Sequence, residues 1–214
     1  MADRHTVVVT GYGPWAKTRT NPAAQVLQRL EAMSWTNCRF VPIEVPVRSA
    51  AIMPLVNDAL LTHRPSIFLG LGVAPNAAAI RAEMVGINCL DFDVADNDGL
   101  SFDGAGIVEG GDAAYFATLA NQEIVAAIQE AGVPAIRSYA AGTHLCNQML
   151  YTSLRLLAQH KFATRCGFIH VPYAPDHTAE IAKTGCVPPS MSLTDMTMAA
   201  RIAIERSLAL LGTA

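Results

Sequence analysis

Short apolar runs alternate along the chain with segments of helical periodicity, and this order constrains the fold more than any other feature of the sequence. The β-branched run at 6–10 predicts a buried strand, and 40–47 and 66–72 predict two more. Helices are predicted after Asn21, where a proline follows the cap, and over 54–62. This order is typical of a parallel sheet with helices on its faces. We therefore expect an α/β fold.

The second half of the chain continues this pattern. Residues 91–111 are rich in Asp and Gly and predict irregular structure or a surface hairpin. The remaining predicted elements are a helix over 121–131, a strand over 133–139, a helix from about 145, a strand over 166–170, a long loop to Met191, and a final helix that begins at Ser192 and ends before Gly212. Loops this long are often functional, so a lid or a subunit contact is expected there.

Size and composition fit one domain over residues 1–214. The chain is 51% hydrophobic and 15% charged, which suffices to cover a sheet on both faces. A net charge of −3 without a Lys/Arg cluster argues against nucleic-acid or anionic-membrane partners. No run of about 18 apolar residues and no basic segment followed by an apolar region at the N-terminus is present, so neither a membrane span nor a signal peptide is expected.

The five cysteines include no CxxC pair. They indicate neither a disulfide framework nor a zinc site. We therefore expect a cytoplasmic protein that holds no metal and needs no cofactor.

The chemistry is predicted at Cys146. Residues 135–139 predict a strand, Gly142 allows a sharp reversal, and apolar residues follow at helical spacing from Leu145 onwards. Cys146 is then in the first turn of a helix, where free N–H groups and the positive end of the helix dipole favour a thiolate. A thiolate is a nucleophile, although an isolated cysteine in an apolar helix is more often a small core residue.

His170 is the candidate base, at the end of the predicted strand 166–170. If this strand and 135–139 flank the intervening helix in a parallel βαβ unit, a right-handed crossover brings both carboxyl ends to one edge of the sheet. Cys146 and His170 are then expected together at that edge, where open α/β sheets bind ligands. The alternative is a core histidine bonded to a backbone carbonyl.

Glu83 is the candidate third member of the site. It directly precedes an apolar segment, where a carboxylate must be paired or neutral. It is expected to orient His170, with a solvated loop residue as the alternative. Tyr12 and Trp15, in the loop after the first strand, are candidate ligand contacts, with loop packing as the alternative.

Short motifs spread over nearly the whole chain carry a resemblance, and those around Cys146 and His170 are the most specific. They are Val9-Thr10-Gly11-Tyr12-Gly13-Pro14 with Asn21-Pro22, Glu83 with Asn88, Asp96-Asn97-x-Gly99, Ala141-Gly142-x-x-x-Cys146-Asn147, Gly167-Phe168-Ile169-His170-Val171-Pro172-Tyr173 and Pro189-Ser190-Met191-Ser192-Leu193. Together they resemble the pyroglutamyl peptidase, or pyrrolidone-carboxylate peptidase, family.

The resemblance implies a three-layer α/β/α sandwich with a mostly parallel twisted sheet, commonly assembled as a homotetramer. It also implies an enzyme that removes an N-terminal pyroglutamyl residue from peptides through a thioacyl intermediate. In that reaction the Cys146 thiolate attacks, His170 protonates the leaving amine and Glu83 holds the imidazole in the useful tautomer. The N–H groups at the start of the Cys146 helix are the expected oxyanion donors.

The sequence departs from the family mainly around the substrate. Tyr12, Trp15, His144 and Leu145 are the predicted substrate contacts, whereas relatives usually carry phenylalanines at the first two positions and an aromatic residue in place of His144. The other departures are Ala16-Lys17-Thr18 in place of a Gly-rich stretch, Met84 and Asp93 in place of arginines, and 72–76 in place of a glycine-rich segment.

Two further functions are alternatives to the peptidase. One is a related cysteine amidohydrolase that acts on another small cyclic or acyl amide, and the other is a non-catalytic binding protein on the same fold. The joint presence of Cys146, His170 and Glu83 argues against the binding protein, which needs no nucleophile, base and orienting group together.

Overall fold

The computed structural model describes residues 5–15 and 20–211. The substitutions expected to matter at Ala16, Lys17 and Thr18 lie outside the described residues, as does Gly212. The elements in chain order are β1 (His5–Tyr12), α1 (Pro22–Glu31), β2 (Cys38–Val45), α2 (Ser49–His63), β3 (Ile67–Val73), β4 (Ile80–Glu83), β5 (Val85–Ile87), β6 (Leu90–Phe92), β7 (Phe102–Ala105), β8 (Ala114–Phe116), α3 (Asn121–Glu130), β9 (Ala135–Ser138), α4 (Leu145–His160), β10 (Arg165–Val171), α5 (Pro175–Ala182) and α6 (Leu193–Leu211).

A six-stranded sheet with the order β2-β1-β3-β10-β4-β9 forms the centre of the fold. β1, β2, β3 and β10 are parallel to one another, whereas β4 and β9 run in the opposite direction. Two antiparallel pairs, β5 with β8 and β6 with β7, lie outside this sheet. The predicted mostly parallel sheet is therefore confirmed.

Helices cover both faces of the sheet and give three layers. α1, α3 and α6 pack on one face, in the core that contains Val7 and Val9 of β1. α2 and α4 pack on the other face, in the core that contains Val8. This alternation follows from the two-residue period of a strand that is buried on both sides.

Side-chain caps fix the starts of α1, α2 and α6. Asn21 Oδ1 accepts a backbone N–H of α1 at 2.9 Å, and Ser192 Oγ accepts the N–H of Asp195 at 3.0 Å at the start of α6, as their cap signals predict. α2 begins before the predicted helix at 54–62 because the N–H of Ser49 donates to Asp96 Oδ2 at 2.8 Å. That cap comes from 47 residues further along the chain, so local sequence does not reveal it.

The predicted parallel βαβ unit around α4 is wrong. β9 runs antiparallel to β10, and β4 lies between them. The crossover rule applies to parallel strands only, so it does not place the start of α4. Instead the chain reverses through Gly142, whose φ is +76°, and α4 begins beside the carboxyl ends of β1 and β3.

The predicted loop to Met191 is interrupted by α5. Pro175 stands in its first turn, where the missing proline N–H leaves no acceptor unsatisfied. No residue of α5 is buried, so this helix lies on the surface. A lid or subunit contact there stays a prediction.

Candidate active site

Cys146 is the second residue of α4, and apolar side chains such as Met149 and Leu154 anchor this helix to the sheet. The preceding residue His144 has extended backbone, with φ −89° and ψ −166°, and its side chain does not cap the helix. α-Helix geometry leaves the first N–H groups without an acceptor inside the helix. Backbone donors therefore stand beside the Cys146 thiol.

Two glycines of β3 make room for the site. A Cβ at Gly72 would lie 2.7 Å from Cys146 Sγ, and a Cβ at Gly70 would lie 2.3 Å from the Phe168 ring. Both positions face α4 because strand residues two apart share a face. The sequence predicts a strand over 66–72, but no role for these two glycines. Their two-residue spacing was the signal that a bulky group approaches the backbone there.

β10 and β4 bring His170 and Glu83 together. In this antiparallel pair Glu83 stands opposite Phe168, so Glu83 and His170 share a face of the sheet. His170 Nδ1 lies 2.8 Å from Glu83 Oε1, and both side chains are buried. The carboxylate can only accept, so Nδ1–H donates and Nε2 is left for Cys146.

The pKa of His170 is raised to about 9. Burial alone lowers this pKa, but the charge of Cys146, its hydrogen bond to the imidazole and the contact with Glu83 together outweigh burial. Glu83 Oε2 is buried and has no hydrogen-bond partner among the described residues. The hydrogen bonding of this carboxylate is thus directed to His170.

Tyr12 and Leu145 are joined at the base of the site. The Tyr12 hydroxyl donates to the carbonyl oxygen of Leu145 at 2.6 Å. Tyr12 is 4% exposed and Leu145 is 1% exposed, which leaves little of either side chain for a substrate to touch. Their role as substrate contacts stays a prediction.

Trp15 and His144 belong to one aromatic group that also contains Phe92. The His144 ring centroid lies 3.9 Å from that of Phe92 and 5.1 Å from that of Trp15. Trp15 Nε1 donates to the Ala95 carbonyl at 3.0 Å, and His144 Nε2 donates to the Val94 carbonyl at 3.2 Å. Sequence reasoning missed Phe92, whose only signal was an aromatic residue inside an Asp- and Gly-rich stretch.

Polar side chains of α4 fasten the surrounding segments to the site. Asn147 accepts the N–H of Ile87 at 2.8 Å and donates to the carbonyls of Ile87 and Cys89 at 2.9 Å each. Gln148 bonds both the hydroxyl and the carbonyl of Ser49, at 3.0 and 3.1 Å. These contacts join α4 to α2 and to the β5–β6 connection, and they hold the start of α4 in place.

The two positions where relatives carry arginine differ in their surroundings. Met84 is half-buried, with its sulfur 3.5 Å from Nδ2 of Asn121, whereas Asp93 is exposed. Neither residue brings a positive charge to the site.

The family model described as pyroglutamyl peptidase matches residues 5–209. The chain belongs to the pyroglutamyl peptidase family. It is a cysteine peptidase of the pyroglutamyl-peptidase I type, as the resemblance implied.

Individual relatives match over nearly their full length. The pyrrolidone-carboxylate peptidase of Pyrococcus furiosus is 33% identical over 202 residues, 94% of this chain and 97% of the relative. Pyrrolidone-carboxylate peptidase 1 of Ralstonia nicotianae is 35% identical over 203 residues, 95% of this chain and 93% of the relative. A solved structure of the Pyrococcus furiosus pyrrolidone carboxyl peptidase has a TM-score of 0.92 at 32% identity, covering 96% of this chain and 99% of that chain. The predicted fold class is confirmed.

Proposed function

We propose that Cys146, His170 and Glu83 are the catalytic residues of this cysteine exopeptidase, which removes an N-terminal pyroglutamyl residue from peptides. The observation that carries the assignment is the buried 2.8 Å contact of His170 Nδ1 with Glu83 Oε1, on the face where the Cys146 thiol lies. A nucleophile, a base and an orienting group in this arrangement are what acyl transfer requires.

The first step forms a thioester. Cys146 Sγ attacks the carbonyl carbon that joins pyroglutamate to the next residue, and the carbonyl π electrons move onto oxygen. N–H groups in the first turn of α4 stabilise the negative oxygen. As the tetrahedral intermediate collapses, the C–N bond breaks and His170 Nε2 gives its proton to the leaving amine.

The second step releases pyroglutamate. The neutral imidazole of His170 takes a proton from water while the water oxygen attacks the thioester carbon. The C–S bond then breaks, which restores the thiolate and the imidazolium. Glu83 accepts the Nδ1–H bond throughout, so Nε2 keeps facing Cys146. The reaction as written needs no cofactor, which stays a prediction.

We also propose one domain over 1–214, a cytoplasmic location and assembly as a homotetramer. All five cysteines are free thiols, which fits a reducing compartment. Phe116 is 67% exposed and Val187 is 76% exposed, and subunit contacts are one way to cover such apolar surface. Among residues 5–15 and 20–211, no helix has both the length and the apolar character to cross a membrane.

Turnover of pyroglutamyl-aminomethylcoumarin tests the function. The wild type should release the fluorophore from this substrate but should not hydrolyse prolyl-aminomethylcoumarin. Iodoacetamide should inactivate the wild type, with the label on Cys146. Cys146→Ser should nearly abolish turnover, whereas Cys89→Ser is the matched control because Cys89 is also partly buried. The assignment would be refuted if the Cys146→Ser variant were active, or if inactivation followed labelling of another cysteine.

A further inference from the structure

We propose that Tyr12 is a positioning residue for catalysis, whose hydroxyl acts through the Leu145 carbonyl to orient and polarise the backbone N–H of Cys146. This inference rests on the proposed function of Cys146 as the nucleophile. It differs from the predicted role of Tyr12 as an apolar wall of the substrate pocket.

The Tyr12 side chain is held in one orientation. Tyr12 is the last residue of β1 and is 4% exposed, in the core between the sheet and α4. Its hydroxyl donates to the Leu145 carbonyl oxygen at 2.6 Å, a short bond between two buried groups. The ring packing and the hydrogen bond therefore fix this end of α4 to β1.

The bonded carbonyl belongs to the peptide unit that carries the Cys146 N–H. This unit is planar, so the Leu145 C=O and the Cys146 N–H point in opposite directions and rotate together. A donor on the oxygen fixes the direction of the N–H and, by polarising the unit, makes the N–H a stronger donor. The His144 side chain does not cap the helix, so it does not occupy the Cys146 N–H as an acceptor.

The Tyr12 hydroxyl stays protonated at the pH at which the enzyme is expected to work. Burial, and next the negative charge of Cys146, raise the pKa of Tyr12 well above its ordinary value. A phenol that does not ionise remains a hydrogen-bond donor beside a thiolate. The contact with Leu145 is thus preserved when Cys146 is charged.

A hydrogen bond that only stabilises the fold and one that acts in catalysis change different kinetic constants when they are lost. The oxygen that the Cys146 N–H stabilises is negative only after the thiolate has attacked. Loss of a contact expressed only in the transition state lowers kcat and leaves KM unchanged. Loss of general packing weakens the binding of all ligands alike.

Tyr12→Phe tests the proposal because it removes only the hydroxyl. We expect kcat to fall about 2- to 10-fold, the range for one neutral hydrogen bond, with KM unchanged. Pyroglutamyl aldehyde, whose thiol adduct places an oxygen at the oxyanion position, should bind more weakly by the same factor. Binding of 2-pyrrolidone should not change. Tyr151→Phe is the matched control, since that buried hydroxyl on α4 donates to the Asp112 carbonyl at 2.8 Å.

The proposal is overturned if Tyr12→Phe keeps the wild-type kcat, if it weakens the aldehyde and 2-pyrrolidone equally, or if Tyr151→Phe loses as much. Alkylation by iodoacetamide creates no oxyanion, so Cys146 should react equally fast in wild type and Tyr12→Phe. Slower alkylation would mean that the hydroxyl acts on the thiolate, which also overturns the proposal. The proposed function fails separately, if inactivation of the wild type does not follow the label on Cys146.

Discussion

A Cβ at Gly72 would lie 2.7 Å from the sulfur of Cys146 and 2.8 Å from the ring of Phe168. The thiol therefore rests directly on the backbone of β3, at a distance that any side chain at position 72 would prevent. This contact sets the height of the thiol above the sheet, on the face where His170 approaches it. β3 thus positions the proposed nucleophile although it contributes no reactive group.

Gly72→Ala should displace the thiol and reduce catalysis more than stability. A misplacement of about 1 Å at a reacting group costs on the order of 100-fold, so we expect a loss of kcat of that size. Gly167→Ala is the matched control because its Cβ would meet the flexible end of Leu119, also at 2.7 Å, on the opposite face of the sheet. Kinetics and Tm measured on both variants check the prediction. Equal losses of kcat would show that strand strain, and not thiol position, is responsible.

His170→Ala and Glu83→Gln should both lower kcat, with the histidine the more severe. A positioned acid/base contributes about 10²- to 10⁴-fold, and in the proposed mechanism Glu83 acts only through its 2.8 Å bond to His170. Glu83→Gln keeps the shape of the side chain and removes its charge. In the double variant the Glu83 change should add little, because the imidazole that it orients is already absent. Fully additive losses would give Glu83 a separate role.

The pH dependence of His170 follows from its neighbours. Its pKa of about 9 lies above the ordinary value of about 6.5, because Cys146 and Glu83 outweigh the lowering effect of burial. The contribution of His170 to the free energy of unfolding is therefore complete below about pH 6.5 and is lost as the pH rises through about 9. Titration of the imidazole by ¹H–¹⁵N NMR, together with Tm against pH, measures both effects.

Cys146→Ser should separate the effect of Cys146 on the pKa of His170 from the effect of Glu83. The variant removes the negative charge that favours the imidazolium, so the pKa of His170 should fall and its titration should move toward neutral pH. Cys166→Ser is the control, since that thiol is buried and burial raises its pKa far above the ordinary value, which keeps it neutral. An unchanged titration near 9 in Cys146→Ser would assign the raised pKa to Glu83 alone.

Local signals allowed much of the fold to be predicted from the sequence. The Asn21 and Ser192 caps, the reversal at Gly142 and the apolar face of α4 depend on neighbouring residues, and the structure confirms them. The start of α2 depends on Asp96, which is remote in sequence. Local reasoning therefore placed that helix too late.

The meeting of Cys146 and His170 was expected for a reason that the structure contradicts. The crossover argument required β9 and β10 to be parallel neighbours, but β4 separates them and both β4 and β9 run the other way. Strand direction in this part of the sheet depends on pairings over long sequence distances, which no single segment reveals. The Tyr12 hydroxyl bond was missed for the same reason, since its acceptor lies 133 residues away.

The last prediction concerns Trp15 and His144 as walls of the substrate pocket. Trp15 is partly buried and fixed by its bond to the Ala95 carbonyl, beside the His144 ring. A compact neutral lactam is held by shape and a few hydrogen bonds, so Trp15→Ala should raise KM about 10-fold while changing kcat less. Trp35→Ala is the matched control, since Trp35 packs on the other face of the sheet and bonds the Leu30 carbonyl.

His144 is predicted to add a polar edge to the same wall. Burial holds the pKa of His144 below its ordinary value, despite its bond to the Val94 carbonyl and the nearby charge of Asp96. The ring is then neutral at pH 7 with its proton on Nε2, which leaves Nδ1 as an acceptor. Wild type should therefore accept polar ring analogues of pyroglutamate better than His144→Phe does, and both should reject prolyl anilides, which lack the ring carbonyl. Steady-state kcat and KM for pyroglutamyl, ring-substituted and prolyl anilides test both predictions. An unchanged KM in a folded Trp15→Ala would show that this loop is not part of the substrate site. Identical selectivity in wild type and His144→Phe would show that His144 provides no polar edge.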